Sequence, residues 1–248
     1  MDENTLFPYT PYLFQIGEPN ILETYDPQPI ATAVLIHYQY PLLITTRKTI
    51  QKYGKYNVGI CFKPDGIERL AGKVEYHTDE NIDIAVIKLD DNLVEMLKSQ
   101  YLFLNNNSID FNHEFHEYNF YTLFGGLNHI TSAHKTKNIF NIEFLNHTTS
   151  YKAFSKKDSS IYNVDQHVLF DKARVQRDID TWNRELGVKY LDGIQGGGVW
   201  IEESAPEGEP IPKLVAIMVE GIPQKATVVA VKIKVIREIL RERFQIDI

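Results

Sequence analysis

The sequence predicts an all-β protein with minor helices. Short apolar runs rich in β-branched residues recur at about ten-residue spacing, which is typical of an antiparallel barrel or sandwich. Of the 248 residues, 12% are aromatic, with 14 Tyr and 13 Phe, and these residue types favour strands. Only a few segments carry the apolar spacing of three to four residues that predicts a helix.

The predicted elements follow one another in a regular order. The predicted strands span 31–38, 41–46, 57–62, 72–77, 82–89, 138–145, 167–171, 199–202, 214–219 and 227–231. Five of the 11 prolines lie in residues 1–30, which we therefore predict to be an irregular N-terminal arm. Asp90 and Asp91 predict the start of a short helix. Apolar spacing predicts two more helices, at 175–186 and at the C-terminal end, 231–248.

The composition excludes several classes of function. The net charge is −7, so a broad electrostatic contact with nucleic acid or with an anionic membrane is not expected. The chain does not begin with a basic stretch followed by an apolar run, and it has no run of about 18 apolar residues. We therefore expect a cytoplasmic protein that binds neither nucleic acid nor membrane.

Cysteine is scarce, and the histidines do not show a known metal-binding spacing. Cys61 is the single cysteine, so an internal disulfide and a four-cysteine zinc site are impossible. His113, Glu114, His116 and Glu117 are potential metal ligands, but their spacing differs from H-E-x-x-H and is better explained by a polar surface loop. We expect no metal and no cofactor.

Four short segments form an ordered set of motifs. They read LITTRKTI at 43–50, IDIAVIKL at 82–89, GIQGGGVW at 193–200 and LVAIMVEG at 214–221. In this order they resemble the trypsin-like (chymotrypsin-fold) serine proteases. The first is similar to the segment of the catalytic histidine and the second to that of the aspartate. The third is similar to the nucleophile turn and the fourth to the substrate-lining strand.

The resemblance implies a fold and a particular branch of the family. The fold would be two antiparallel six-stranded β-barrels, at about 31–105 and 106–230, closed by the C-terminal helix in a single domain. The chain resembles most the bacterial, intracellular, disulfide-free branch of these proteases. Members of that branch accompany defence or signalling modules.

The departures from the family pattern concern the catalytic residues. The resemblance places Lys48 at the histidine position and Gln195 at the serine position, and only Asp83 matches the triad. A carboxamide is not a useful nucleophile, because its nitrogen lone pair is delocalised into the carbonyl. An ion pair with Asp83 would keep the Lys48 amine protonated, which prevents it from acting as a general base. We therefore predict a degenerate serine peptidase.

A degenerate peptidase can keep its binding cleft after it has lost its catalytic residues. The resemblance makes the backbone N–H groups of Gly193 and Gln195 oxyanion-hole-like donors, although glycines here also simply permit a tight turn. Residues 219–221 resemble the strand edge that pairs with a substrate backbone, and binding by β-addition needs no triad. The predicted ligand-binding cleft comprises Lys189, Ile194, Gly196, Val219, Glu220 and Gly221. Lys189 falls where the family sets its specificity pocket, unless it faces solvent.

These observations predict a pseudoprotease that binds a protein or peptide as a sensor, scaffold or regulatory subunit. One alternative is a serine-protease-like hydrolase with a rearranged active site, built from Asp83 and either His134 or His167. Another is a structural partner that uses no cleft. Two weaker candidates have simpler explanations. Cys61 could be a rival nucleophile, but a core thiol explains it better. The basic face of the last helix could dock an acidic partner, but a solvated surface explains it better.

Overall fold

The computed structural model describes residues 3–16, 27–62, 66–128, 132–134, 139–141, 144–171, 193–203, 211–222, 225 and 227–246. The strands there are β1 (Tyr12–Gln15), β2 (Gln28–Thr32), β3 (Val34–His37), β4 (Pro41–Thr45), β5 (Val58–Phe62), β6 (Gly66–Arg69), β7 (Gly72–Tyr76), β8 (Ala85–Leu89), β9 (Phe120–Gly126), β10 (Ser132–His134), β11 (Ile139–Asn141), β12 (Phe144–Lys152), β13 (His167–Asp171), β14 (Gly198–Glu203), β15 (Ile211–Ile222) and β16 (Thr227–Lys232). The helices there are α1 (Glu3–Leu6), α2 (Arg47–Tyr53), α3 (Asp91–Leu97), α4 (Lys156–Ser159) and α5 (Ile233–Phe244). The fold is mostly β, as the sequence predicts.

The second half of the chain closes into a barrel. Six antiparallel strands pair in the order β12-β13-β16-β15-β14-β9. Alternate residues such as Leu123 and Phe170 share one buried cluster, while Phe124 and Leu169 belong to another. This period of two is what a strand produces, because successive side chains point to opposite faces of the sheet.

The first half is divided differently from the prediction. Its strands form two four-stranded sheets, β2-β1-β5-β6 and β3-β4-β8-β7, rather than one closed six-stranded barrel. The predicted strand 31–38 breaks at Ala33, so that β2 and β3 enter different sheets. A single buried cluster takes Leu13 and Ile60 from one sheet and Leu43 and Ile87 from the other, so the two sheets share a core.

A shared core also joins the two halves. Ile44 and Val86 of the first half belong to the same buried cluster as Trp200 and Ile217 of the barrel. Helix α5 adds Ile236 and other buried residues to this cluster, which confirms the predicted C-terminal helix. Burial of apolar surface on both sides fixes the halves against each other.

The described residues of the predicted N-terminal arm, 3–16 and 27–30, lie mostly in regular elements of the fold. Residues 3–16 form α1, a short turn and β1, and β1 lies between β2 and β5. Leu6, Tyr12 and Phe14 are completely buried. Pro8 and Pro11 precede β1, and Pro29 lies in β2, which is an edge strand of its sheet and so tolerates a residue without an N–H.

The helix predicted for 175–186 lies outside the described residues. In the part of the chain that the structure describes, no helix is both long enough and apolar enough to span a membrane.

Candidate functional site

Lys48 and Asp83 meet at one corner of a polar cleft. Strand β4 ends at Thr45, and α2 begins two residues later. The backbone N–H of Lys48 donates to Asp83 Oδ1 at 2.7 Å, and Lys48 Nζ lies 3.6 Å from Asp83 Oδ2. The carboxylate therefore satisfies a free N–H in the first turn of α2, a role that side chains at helix starts often take.

The two partners differ in their exposure to solvent. The Lys48 side chain is 77% exposed, whereas Asp83 is 7% exposed. Burial raises the pKa of the Asp83 carboxyl, and the hydrogen bond and the charge of Lys48 offset part of this rise. The sequence predicted this ion pair, and the structure brings its two members together.

The turn around Gln195 is closed on itself. The side-chain carbonyl oxygen of Gln195 accepts a hydrogen bond from the Gly193 N–H at 2.9 Å. The predicted oxyanion-hole donor at Gly193 is therefore occupied by the chain's own amide. The neighbouring N–H of Gly196 donates to the Met218 carbonyl at 2.7 Å, so it does not face a ligand either.

Thr32 fastens this turn to the first half. The Thr32 hydroxyl donates to the Gly193 carbonyl at 2.8 Å and accepts from the Gly126 N–H at 2.7 Å. The Thr32 N–H donates to the Gln195 carbonyl at 2.9 Å. All these groups lie between the halves, which makes the turn part of their interface.

Gly196 shows how closely the turn is packed. Its φ of +86° is a backbone conformation that favours glycine. A Cβ at this position would overlap the Thr32 carbonyl oxygen and lie 2.6 Å from Thr45 Oγ1. Since Thr45 ends β4 just before α2, the turn and the Lys48 corner are neighbours along one wall of the interface.

The cleft itself has a volume of about 510 Å³ and takes residues from both halves. Its described lining consists of Arg47, Lys48, Gln51, Glu80, Asn81, Asp83, Ile161, Tyr162, His167 and Glu220. The Tyr162 hydroxyl donates to Glu220 Oε2 at 2.8 Å, and burial together with this carboxylate raises the pKa of Tyr162. The cleft therefore combines cations, carboxylates and an anchored tyrosine.

His167 lines the cleft with Asp83 but does not form a catalytic pair with it. Its Nδ1 lies 3.1 Å from the Asn163 carbonyl oxygen, and burial lowers the pKa of the imidazole. Among the described residues that line the cleft, none is Ser, Thr or Cys. The described lining therefore offers no serine, threonine or cysteine to the rearranged hydrolase.

The comparisons with known proteins bear on this geometry. No protein-family profile matches the chain, and no curated protein matches it. A scabies mite inactivated protease paralogue, S-I1, has a similar structure, with a TM-score of 0.57 and 12% identity over 98% of this chain and 97% of that one. The serine endoprotease from Yersinia pestis has a TM-score of 0.55 and 11% identity, over 96% of this chain and 64% of that one.

The chain has the trypsin-like serine protease fold. At these identities the likeness concerns the fold alone, so the chemistry has to be judged from the residues present. The all-β fold class implied by the sequence motifs is confirmed.

The predicted ligand-binding residues of this chain have different surroundings. Glu220 lines the cleft. The side chains of Ile194 and Val219 are buried in the apolar clusters, so they do not reach it. Gly196 is enclosed by Thr32 and Thr45, and Gly221 pairs with Val228 in the ladder between β15 and β16.

Of three further candidate residues, only Cys61 has a side chain within the described part of the chain. Lys189 lies outside the described residues, and so does the side chain of His134. Cys61 is completely buried in β5 and does not line the cleft. The core-thiol interpretation of Cys61 therefore fits its position.

Strand β15 extends beyond its partner β14. Pairing with β14 ends at Ile217, and the Met218 N–H then donates to the Gly197 carbonyl. Residues 219–222 pair with β16 on one side. Within the described ranges, no strand pairs with them on the other side, next to Glu220 of the cleft.

Sequence reasoning missed Tyr162 and the part of the lining that follows α4. Residues 161–162 belong to no motif, and they reach the cleft only because the loop between α4 and β13 returns to it. No residue spacing in the sequence predicts that this loop reaches the cleft. The ring of Tyr162 lies 5.6 Å from that of His167, which was weighed only as a catalytic alternative.

Proposed function

We propose that this chain is a pseudoprotease that binds a protein or peptide segment in the cleft between its two halves and does not cleave it. The observation that carries the proposal is the hydrogen bond from the Gly193 N–H to Gln195 Oε1. A donor that would stabilise an oxyanion is engaged by the side chain that replaces the nucleophile.

The residues at the positions aligned with the triad support the absence of cleavage. The Gln195 carboxamide offers no nucleophile, and Lys48 takes the place of the histidine beside Asp83. In a triad enzyme the base must accept the nucleophile's proton and the oxyanion hole must be open. The replaced histidine and the engaged Gly193 donor both count against such a mechanism.

The open parts of the cleft support binding. Lys48 projects an exposed ammonium group into it, and Tyr162 and Glu220 form a fixed polar wall on the other side. Beside them, residues 219–222 offer a strand edge. An extended segment added to this edge would gain backbone hydrogen bonds, while its side chains contacted the cleft.

The cellular role that follows from such binding is that of a sensor, scaffold or regulatory subunit. A similar structure, the scabies mite S-I1, is named an inactivated protease paralogue, so this fold accommodates loss of activity. A cytoplasmic location in a bacterial defence or signalling module belongs to the same proposal, and it rests on the sequence motifs alone.

The first experiment tests the absence of catalysis. The purified chain is incubated with a broad peptide library and with a fluorophosphonate probe that labels active serine hydrolases. We expect neither cleavage nor labelling. Cleavage that disappears in Gln195→Ala would overturn the proposal.

The second experiment tests binding in the cleft. Random linear peptides are selected against the immobilised chain, and the dissociation constants of the selected peptides are measured for Lys48→Ala and Lys52→Ala. Lys52 lies on the same helix, is exposed and does not line the cleft, so it is a matched control. We expect only Lys48→Ala to weaken binding. Equal binding by all three proteins would place the peptide outside the cleft.

A further inference from the structure

A second pocket lies apart from the cleft, between α5 and the loop before β9. Its volume is about 690 Å³, within the range of small-molecule sites. Four cationic residues line it together with two carboxylates: Lys232, Lys234, Arg237, Arg241, Glu114 and Glu238. This local excess of positive charge contrasts with the net charge of −7 of the whole chain.

The carboxylates in the lining face histidines rather than the cations. Glu238 Oε2 lies 3.3 Å from His77 Nε2, and Glu114 Oε2 lies 3.9 Å from His116 Nε2. In the part of the chain that the structure describes, none of the four cations is within ion-pair distance of a carboxylate. Their charges therefore remain available to a ligand.

Arg237 is held in place by uncharged groups. Its Nη2 donates to Asn112 Oδ1 at 2.8 Å, and the guanidinium lies 5.3 Å from the centre of the Phe111 ring. Lys232 is positioned in a similar way, because its Nζ donates to the Val164 carbonyl at 2.8 Å. Cations fixed before binding lose less side-chain entropy when a ligand arrives.

The cations at the start of α5 are placed unfavourably, whereas Arg241 lies in the last turn, where the helix dipole favours a cation. Lys234, Arg237 and Arg241 follow one another at spacings of three and four residues, so they share one face of α5. The first turn of α5 has no acidic residue and no side-chain cap, although the helix dipole favours negative charge there. Burial and the neighbouring Lys234 both lower the pKa of Lys232. A bound anion would relieve each of these effects.

We infer that this basic pocket is a binding site for a compact oxyanion carrying two or more negative charges. Arginine guanidinium groups bind phosphate and carboxylate oxygens in pairs, and lysines add charge without a fixed geometry. A diphosphate and a small polycarboxylate share this chemistry. The inference does not depend on the proposed function of the cleft.

The test uses calorimetric titration of the full chain with pyrophosphate and, separately, with citrate, at one fixed ionic strength. The test variant is Lys234→Gln/Arg241→Gln. The control variant, Lys157→Gln/Arg243→Gln, removes the same amount of charge from exposed residues that do not line the pocket.

We expect 1:1 binding of at least one of the two anions. Loss of two charge-assisted contacts should weaken it by about tenfold or more in the test variant and by less than about twofold in the control. The anion that binds more tightly identifies phosphate or carboxylate as the source. Absence of binding by both anions, or equal weakening in the two variants, would overturn the inference. A melting temperature within the range of the control excludes misfolding as the cause.

Discussion

The two halves of the molecule differ where they meet. On the barrel side, the Gln195 amide of the turn at 193–197 accepts a hydrogen bond from the Gly193 N–H. On the other side, Lys48 contacts Asp83, and the Lys48 side chain stays open to solvent. The turn is closed and structural, whereas the corner is open and available for binding.

This difference predicts what each side contributes to the protein. The turn is bonded to Thr32 and packed against Thr45, so it contributes to the stability of the interface between the halves. Lys48 contributes little to stability, because an exposed ion pair is weak. Substitutions in the turn should therefore cost folding energy, and those at the corner should mainly affect binding.

The largest effect is expected for Gly196→Ala. The new Cβ would overlap the Thr32 carbonyl, and φ is +86°. Strain and overpacking together should lower the free energy of unfolding by about 4 kcal/mol, measured by urea denaturation. Gly54→Ala is the control, with a φ of +72° but no atom within 4 Å of its Cβ, and should cost about 1 kcal/mol. Equal losses would mean that the turn is not packed as described.

Thr32→Val should have the second largest effect. Valine keeps the shape but leaves the Gly193 carbonyl and the Gly126 N–H without their buried partner. Two unsatisfied groups should cost about 3 kcal/mol in the same measurement. A loss below about 1 kcal/mol would show that the turn does not depend on this hydroxyl.

Gln195→Ala should have a smaller effect on stability. It removes the acceptor of the Gly193 N–H and should cost about 1 kcal/mol. Gln51→Ala, at an exposed position in the cleft, serves as the control and should be neutral within about 0.5 kcal/mol. If both variants are neutral, the amide does not secure the turn.

Asp83→Asn should change the dependence of stability on pH. Burial raises the pKa of this carboxyl above its ordinary value of 3.8, so the folded state binds the proton more tightly than the unfolded state. The stability that Asp83 contributes is therefore fully present below the unfolded pKa and decreases as pH rises through the folded pKa. Urea denaturation from pH 3 upward should show the wild type losing stability relative to Asp83→Asn. A relative gain over this range would contradict the argument.

Lys48→Ala should have the smallest effect on folding. The side chain is 77% exposed and its ion pair is 3.6 Å long, so the free energy of unfolding should stay within about 0.5 kcal/mol of the wild type. If the free energy of unfolding fell by more than about 2 kcal/mol, Lys48 would be a structural residue. The two sides of the interface would then not differ in the way described.

Much of the fold could be predicted from the sequence, because strand periodicity and motif order are local properties. His167–Asp171 is a strand as predicted, and α5 follows the predicted apolar spacing. The division of residues 31–38 between two sheets could not be predicted, because it depends on bonds that Thr32 and Ala33 form with distant Gln195 and Pro11.

The candidate site was predictable only for residues that lie within a motif. The order of the motifs placed Lys48 and Asp83 together, and it placed Glu220 at the cleft. Tyr162 carried no such signal. The cations of α5 and the loop at His113 were both visible in the sequence, but nothing there showed that they share one pocket.

By itself the sequence determined the residue types at the positions that its motifs align with a catalytic triad, and an amide remains an amide in any environment. Only the tertiary structure decided where that amide points. The Gly193 and Gln195 N–H groups were candidate oxyanion-hole-like donors, but folding brought the side-chain carbonyl oxygen of Gln195 within hydrogen-bond distance of the Gly193 N–H. Side-chain direction depends on the partners available in space, and a linear sequence does not contain those partners.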